Sequence, residues 1–71
     1  LLNLPVDDIV YLEASGDYTI LTTKNDQFVS SSGIGKLEEI LNPDTFIRVH
    51  RSTIININSL KEIEKHFNGG M

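Results

Sequence analysis

Apolar and polar residues alternate in short stretches through the first 31 residues of the chain. Residues 8–14, 18–23 and 27–31 are rich in β-branched and aromatic side chains, which suit a pleated, half-buried surface. Turn-forming residues separate these stretches, Ser-Gly-Asp at 15–17 and Lys-Asn-Asp at 24–26. The pattern predicts three consecutive antiparallel strands with local connections.

Helical spacing begins after residue 32. Apolar residues recur on one helical face at Ile34, Leu37, Ile40 and Leu41. Ser32 is in position to cap the first turn, and Pro43 ends the helix because proline disfavours helical angles in the residue before it. We predict a short helix over 33–41 and a strand over 46–50, and we leave the assignment of the apolar residues 54–57 open.

Residues 59–67 carry a helical pattern that conflicts with the turn signal directly after them. Ser59 and Glu62 have capping-box spacing, and the apolar residues recur at i, i+3 and i+7: Leu60, Ile63 and Phe67. Asn-Gly-Gly at 68–70 instead suits a tight hairpin turn, because glycine supplies positive φ angles, and a hairpin needs a strand before it. The two patterns cannot both be obeyed in full.

The composition is that of one small folded domain. Of the 71 residues, 39% are hydrophobic and 23% are charged, which excludes a disordered tail. No apolar run approaches the roughly 18–20 residues of a membrane span, so we expect a soluble protein. The absence of cysteine excludes disulfides and Cys-ligated zinc. From Leu1 and the turn at 68–70 we expect a linker over 1–5 and a domain over 6–71 that lacks its last hairpin.

Positive charge is concentrated in the second part of the chain. Residues 1–44 carry two lysines against eight acidic residues, whereas residues 45–71 carry four basic residues against two acidic ones. Salt screens exposed charges beyond about 10 Å, so this distribution matters more than the net charge. The overall value of −4 therefore does not exclude a nucleic-acid partner.

Catalytic and metal-binding patterns find little support. His50 and His66 lack the spacing of metal ligands. Ser52, His50 and Asp44 have the residue types of a catalytic triad, but the sequence around the serine is not that of a nucleophile elbow. The Gly-x-Gly at 33–35 lacks the third glycine of a phosphate-binding loop. We predict a non-enzymatic domain without a cofactor or a metal.

Residues 48–53, Arg-Val-His-Arg-Ser-Thr, are the remaining candidate site. In strand geometry Arg48, His50 and Ser52 share one side, and Arg51 projects from the other. The arginine fork matches phosphate oxygens and the O6/N7 edge of guanine, and serine hydroxyls readily bond to phosphate. The alternative is an ordinary solvated strand end, because small basic patches are common on protein surfaces.

Residues 46–56, Phe-Ile-Arg-Val-His-Arg-Ser-Thr-Ile-Ile-Asn, closely resemble the phenylalanine-x-arginine-x-histidine-arginine-serine…asparagine signature of the LytTR family of DNA-binding domains. Residues 8–18 are similar to the opening hairpin of that family, and the resemblance continues in order over 6–67. It implies a mainly β fold of antiparallel strands with one short helix, which binds double-stranded DNA sequence-specifically. It also implies a cytoplasmic output domain of a bacterial two-component response regulator, joined in a phosphorelay to an upstream receiver domain.

The resemblance also assigns roles to individual residues. Arg51 matches a loop position that reaches base edges. Contacts from the loops or to the DNA backbone are implied for Arg48, His50, Ser52, Asp17 and Tyr18. Asp17 stands where the family commonly has asparagine, so an acceptor-only carboxylate, which phosphate repels, replaces an amide.

The family pattern further implies a strand over 61–67, and we adopt that prediction against the local helical period. An interaction module is the alternative function. With the last hairpin missing, an exposed sheet edge would pair with another chain, for example in a homodimer.

Overall fold

Over the described residues, the fold is a five-stranded antiparallel sheet with two helices. The computed structural model describes residues 5–68, with the side chains of residues 5–65. Its elements in chain order are β1 (Ile9–Ser15), β2 (Tyr18–Thr23), β3 (Gln27–Ser30), α1 (Ile34–Ile40), β4 (Phe46–His50), β5 (Thr53–Asn56) and α2 (Leu60–Asn68). Short 3-10 turns at Val6–Asp8 and Ile57–Ser59 precede β1 and α2. The strand order is β3-β2-β1-β5-β4, which confirms the predicted mainly β fold and its opening three-strand meander.

The core lies between one face of the sheet and α1. Leu12, Leu21 and Ile54 come from three neighbouring strands and are fully buried. Ile34 and Leu37 of α1 pack in the same cluster, as the helical spacing predicted. Burial of apolar surface contributes about 25 cal/mol per Å², so this layer supplies the main stabilisation of the sheet. Of the open segment 54–57, residues 54–56 lie in β5, whose alternation buries Ile54 and Asn56, and Ile57 begins the following 3-10 turn.

The prediction of a strand over 61–67 is wrong, because these residues lie in α2. The local pattern, which the family resemblance overrode, identified the element correctly. α2 begins one residue after Ser59, Ile63 is half-buried, and Lys65 lies 3.7 Å from Glu62 in an i, i+3 ion pair. The predicted turn at 68–70 falls largely outside the described residues, as does most of the predicted linker over 1–5.

The predicted Ser32 cap of α1 is also wrong. The N-cap residue is Gly33, which makes no side-chain capping bond, and the helix is one residue shorter at each end than predicted. Ser32 instead forms hydrogen bonds through its backbone. Its carbonyl accepts from the Thr19 hydroxyl at 2.9 Å, and its N–H donates to Ser30 Oγ at 3.1 Å. Thr19 is fully buried, so its hydroxyl requires an internal acceptor, and that requirement fixes Ser32 just before the helix.

α1 ends at Ile40, one residue before the predicted end and just ahead of the Asn-Pro-Asp segment at 42–44. Leu41 has an extended conformation, and Asn42 Oδ1 accepts from the Asp44 N–H at 2.9 Å in a local turn.

In the part of the chain that the structure describes, no helix has the length and apolar character to cross a membrane.

Candidate nucleic-acid interface

The register of β1 against β5 brings two turns to the same end of the sheet. Glu13 pairs with Thr53, and the Ala14 N–H donates to the Ser52 carbonyl at 2.8 Å. The β1–β2 turn therefore lies beside the β4–β5 turn. We call this end, with residues 16–18 and 50–52, the two-turn end.

Glycine determines the shape of the β1–β2 turn. Ser15 pairs with Tyr18, so Gly16 and Asp17 form a two-residue turn. Gly16 has a φ of 61°, and no other described residue has a positive φ, which is the pattern of a type II′ turn with glycine first. The turn presents Asp17 and Tyr18 to solvent, with 55% of Tyr18 exposed.

The β4–β5 turn is built differently, because it contains no glycine. His50 pairs with Thr53 around Arg51 and Ser52, and a bulge at Val49 interrupts the ladder just before the turn. His50 Nδ1 lies 2.9 Å from Ser52 Oγ and accepts from the Ser52 backbone N–H at 3.2 Å. An acceptor nitrogen carries no proton, so we assign the neutral ring's proton to Nε2, which is then free to donate.

Arg48 supports this turn from within the protein. Its Nε donates to the His50 carbonyl at 2.9 Å, and its Nη2 donates to the Arg51 carbonyl. Its Nη1 lies 2.6 Å from Glu38 Oε1 on α1. The sequence predicted Arg48 as a DNA contact, whereas the structure commits all three of its side-chain nitrogens to protein acceptors. Sequence reasoning missed Glu38, since no spacing links a helical acid to a strand ten residues later.

Arg51 presents the opposite case. Its side chain is exposed at the tip of the turn, and among residues 5–65 no acceptor lies within hydrogen-bonding or ion-pair distance of its guanidinium. The hydrogen bond between His50 and Ser52 places these two side chains together, as the sequence predicted. The two-turn end thus combines an arginine without a partner among the described residues with imidazole, serine and tyrosine side chains.

The opposite end of the sheet has different chemistry. A polar cavity of about 360 Å³ lies there, with Asp7, Asp8 and Lys24 among its lining residues. Its two aspartates outnumber its one lysine, so a polyanion would be repelled more strongly there than at the two-turn end. Among the described residues, no cluster of three or more His, Asp or Glu side chains is placed to hold a metal ion.

Comparisons with known proteins match most or all of the chain. A sequence model of the LytTr DNA-binding domain family covers residues 1–71. The transcriptional regulatory protein YpdB of Escherichia coli K12 is 38% identical over 64 residues, which are 90% of this chain and 26% of YpdB. The transcriptional regulatory protein LytR of Staphylococcus aureus NCTC 8325 is 34% identical over 65 residues, which are 92% of this chain and 26% of LytR. The chain therefore spans about a quarter of the length of these relatives.

A solved structure shares the fold. It is the LytTr DNA-binding domain of a response regulator from Bacillus cereus, with a TM-score of 0.73 and 33% sequence identity. The superposition covers 78% of this chain and 50% of that one.

Proposed function

This chain belongs to the family of LytTr DNA-binding domains, and on that premise we propose that it binds duplex DNA sequence-specifically through the two-turn end. Its relatives are transcriptional regulatory proteins, so the binding would control transcription. We further propose that the domain is the cytoplasmic output module of a response regulator, governed by a receiver domain. It would carry out no catalytic step.

The guanidinium of Arg51, which has no partner among the described residues, is the observation that carries the proposal. Arginine can donate two parallel hydrogen bonds to O6 and N7 of guanine, a pairing that identifies the base in the major groove. The Ser52 carbonyl accepts a hydrogen bond from β1. Arg48 donates hydrogen bonds to the carbonyls of His50 and Arg51. Arg51 therefore projects from a turn whose backbone is fixed by hydrogen bonds. Less conformational entropy is then lost when its side chain binds a base edge.

Shorter donors beside Arg51 suit the DNA backbone. The proposed Nε2–H of His50 can donate to a phosphate oxygen, and the Ser52 hydroxyl can do so when it turns away from His50 Nδ1. Such contacts fix the register of the protein without reading sequence. Tyr18 offers a hydroxyl on the neighbouring turn. Asp17 is repelled by phosphate, so its favourable partner is a base donor such as cytosine N4.

The spacing of the two turns fits a duplex. The strand order places the β1–β2 and β4–β5 hairpins side by side, so their midlines are two strand spacings apart, about 10 Å. The major groove is about 12 Å wide. One turn can therefore enter the groove while the other meets the sugar-phosphate backbone at its edge.

Selection from a random DNA pool tests the proposal and identifies the target sequence in the same experiment. Duplexes with a randomised central segment are enriched on the purified protein, and the enriched duplex is compared with a scrambled one by fluorescence anisotropy at fixed salt. We expect tighter binding to the enriched duplex and a steep decline in affinity with salt, because phosphate contacts release counterions. An enriched duplex that binds no better than its scrambled form would refute sequence-specific binding.

Two charge-matched variants then test the role of Arg51. Arg51→Ala and Lys24→Ala each remove one positive charge from an exposed turn, at opposite ends of the sheet. We expect Arg51→Ala to cost about 1–3 kcal/mol on the enriched duplex and to relax the preference at one or two base positions. Lys24→Ala should leave that preference unchanged. If Arg51→Ala weakens all duplexes by one common factor, Arg51 contacts phosphate and does not read bases.

A homodimer formed through a sheet edge is the second candidate function. β4 is an edge strand, and its residues Ile47 and Val49 are 38% and 55% exposed. The bulge at Val49 disrupts the ladder there, a feature that discourages strand addition. Sedimentation equilibrium at low and high salt separates the two functions. Salt-insensitive dimers would support edge pairing, and a monomer at high protein concentration would contradict it.

A further inference from the structure

Arg48 and Glu38 form a bridge between α1 and the β4–β5 turn. The Arg48 guanidinium reaches the carbonyls of His50 and Arg51 with two of its nitrogens and the Glu38 carboxylate with the third. Glu38 follows Leu37, which is 1% exposed in the core cluster, so the bridge ties the turn to a rigid element. Its partners are partly exposed, with 28% of the Arg48 and 44% of the Glu38 side chain accessible.

We propose that Arg48 is a positioning residue, which together with Glu38 fixes the β4–β5 turn for base reading and does not itself contact DNA. The inference rests on the proposed DNA-binding function of the two-turn end. A planar guanidinium can hold three acceptors in fixed directions, whereas the lysine ammonium is a compact charge on a flexible stem. The positive charge of Arg48 is therefore less important than the shape of its donor fork.

Glu38 distinguishes this proposal from simple electrostatics. Removing an acidic side chain lowers the repulsion of DNA, so electrostatics alone predicts tighter binding by a Glu38→Ala variant. Positioning instead predicts that Glu38→Ala discriminates less well between the enriched duplex and its single-base variants, because the turn loses its link to α1. Glu39 supplies the matched control, since it is the next residue on the same helix, is exposed, and makes no ion pair with any described residue.

The experiment compares the affinity for the enriched duplex with that for its single-base variants, using wild-type protein, Glu38→Ala, Glu39→Ala and Arg48→Lys. Circular dichroism confirms that each protein is folded at the assay temperature. We expect Glu38→Ala to lower the ratio of affinities between the enriched duplex and its single-base variants by about two- to fivefold. This is the range of the free energy of an exposed ion pair. Arg48→Lys should lower the same ratio by about tenfold, because charge-assisted bonds to the turn carbonyls are lost while the charge is kept. Glu39→Ala should discriminate like wild type.

Two results would overturn the proposal. Equal discrimination by Glu38→Ala and Glu39→Ala would show that the bridge does not position the turn. Undiminished discrimination by Arg48→Lys would show that a positive charge alone suffices, as for a phosphate contact. If Arg48→Lys does not fold, the comparison of the two glutamate variants decides alone. Failure of the proposed function is recognised separately, because wild-type protein would then show no discrimination to lose.

Discussion

Replacing Asn56 with leucine tests how one buried amide holds the sheet together. Asn56 lies on β5 and is 2% exposed. Its Nδ2 donates to the Ile9 carbonyl at 2.8 Å, and its Oδ1 accepts from the Asn58 N–H at 2.8 Å. The side chain thus joins the first residue of β1 to the segment that leads into α2.

The magnitude follows from the groups that leucine would leave behind. In the variant, the carbonyl of fully buried Ile9 loses the donor that Asn56 supplies. Leaving a buried acceptor without its hydrogen bond costs about 1–3 kcal/mol. The exposed Asn58 can exchange its lost bond for water, at about 0.5–1.5 kcal/mol. Leucine has a similar size, so no large cavity adds to this cost. We expect Asn56→Leu to lower the free energy of unfolding by about 2–4 kcal/mol, which is a large fraction of the total for a domain of this length.

Urea unfolding followed by circular dichroism measures the effect, with a common slope m confirming that the unfolded states are alike. Asn58→Ala is the matched control, because Asn58 contributes its backbone N–H and no described side-chain bond. It should change the free energy of unfolding by less than about 0.5 kcal/mol, as an exposed substitution does. If Asn56→Leu proves equally mild, the buried amide does not stabilise the sheet and our reasoning is wrong.

Three further substitutions test the two turns of the site and the bond from β2 to the residue before Gly33, the N-cap of α1. Thr19→Val should lower the free energy of unfolding by about 1–3 kcal/mol in urea, because the Ser32 carbonyl loses its hydroxyl donor; unchanged stability would contradict the role of that bond. Gly16→Ala should cost about 1–2 kcal/mol in the same assay for its left-handed φ, and a stabilised protein would argue against the type II′ turn. Ser52→Ala should weaken every duplex by a similar factor in anisotropy titrations, and a change of base preference would mean that Ser52 reads sequence.

Local patterns in the sequence predicted most of the elements. β2 and β4 have the predicted limits, and α1 differs by one residue at each end, because alternation and helical spacing reflect which side of an element is buried. The error at α2 has the same origin. The period of 60–67 was helical, and the family resemblance displaced a local signal that the fold obeys.

Contacts between distant residues were beyond prediction. Asn56 stands in an apolar stretch, and nothing local indicates that its amide bonds to Ile9, 47 residues earlier. The bridge from Glu38 to Arg48 likewise depends on how α1 packs on the sheet. Sequence therefore identified Arg51 as a candidate. Only the three-dimensional arrangement distinguishes its guanidinium, which no described residue bonds, from the internally bonded guanidinium of Arg48.

The most direct test of the proposed interface is to map the DNA-contacting surface by nuclear magnetic resonance. Isotopically labelled protein is titrated with the enriched duplex, and the amide shifts are followed residue by residue. We predict that the changes concentrate at 16–18 and 50–53, with the turn at 24–26 at the opposite end unaffected. Changes concentrated at 24–26 and at the polar cavity beside this turn, with the two-turn end unchanged, would contradict the proposed interface.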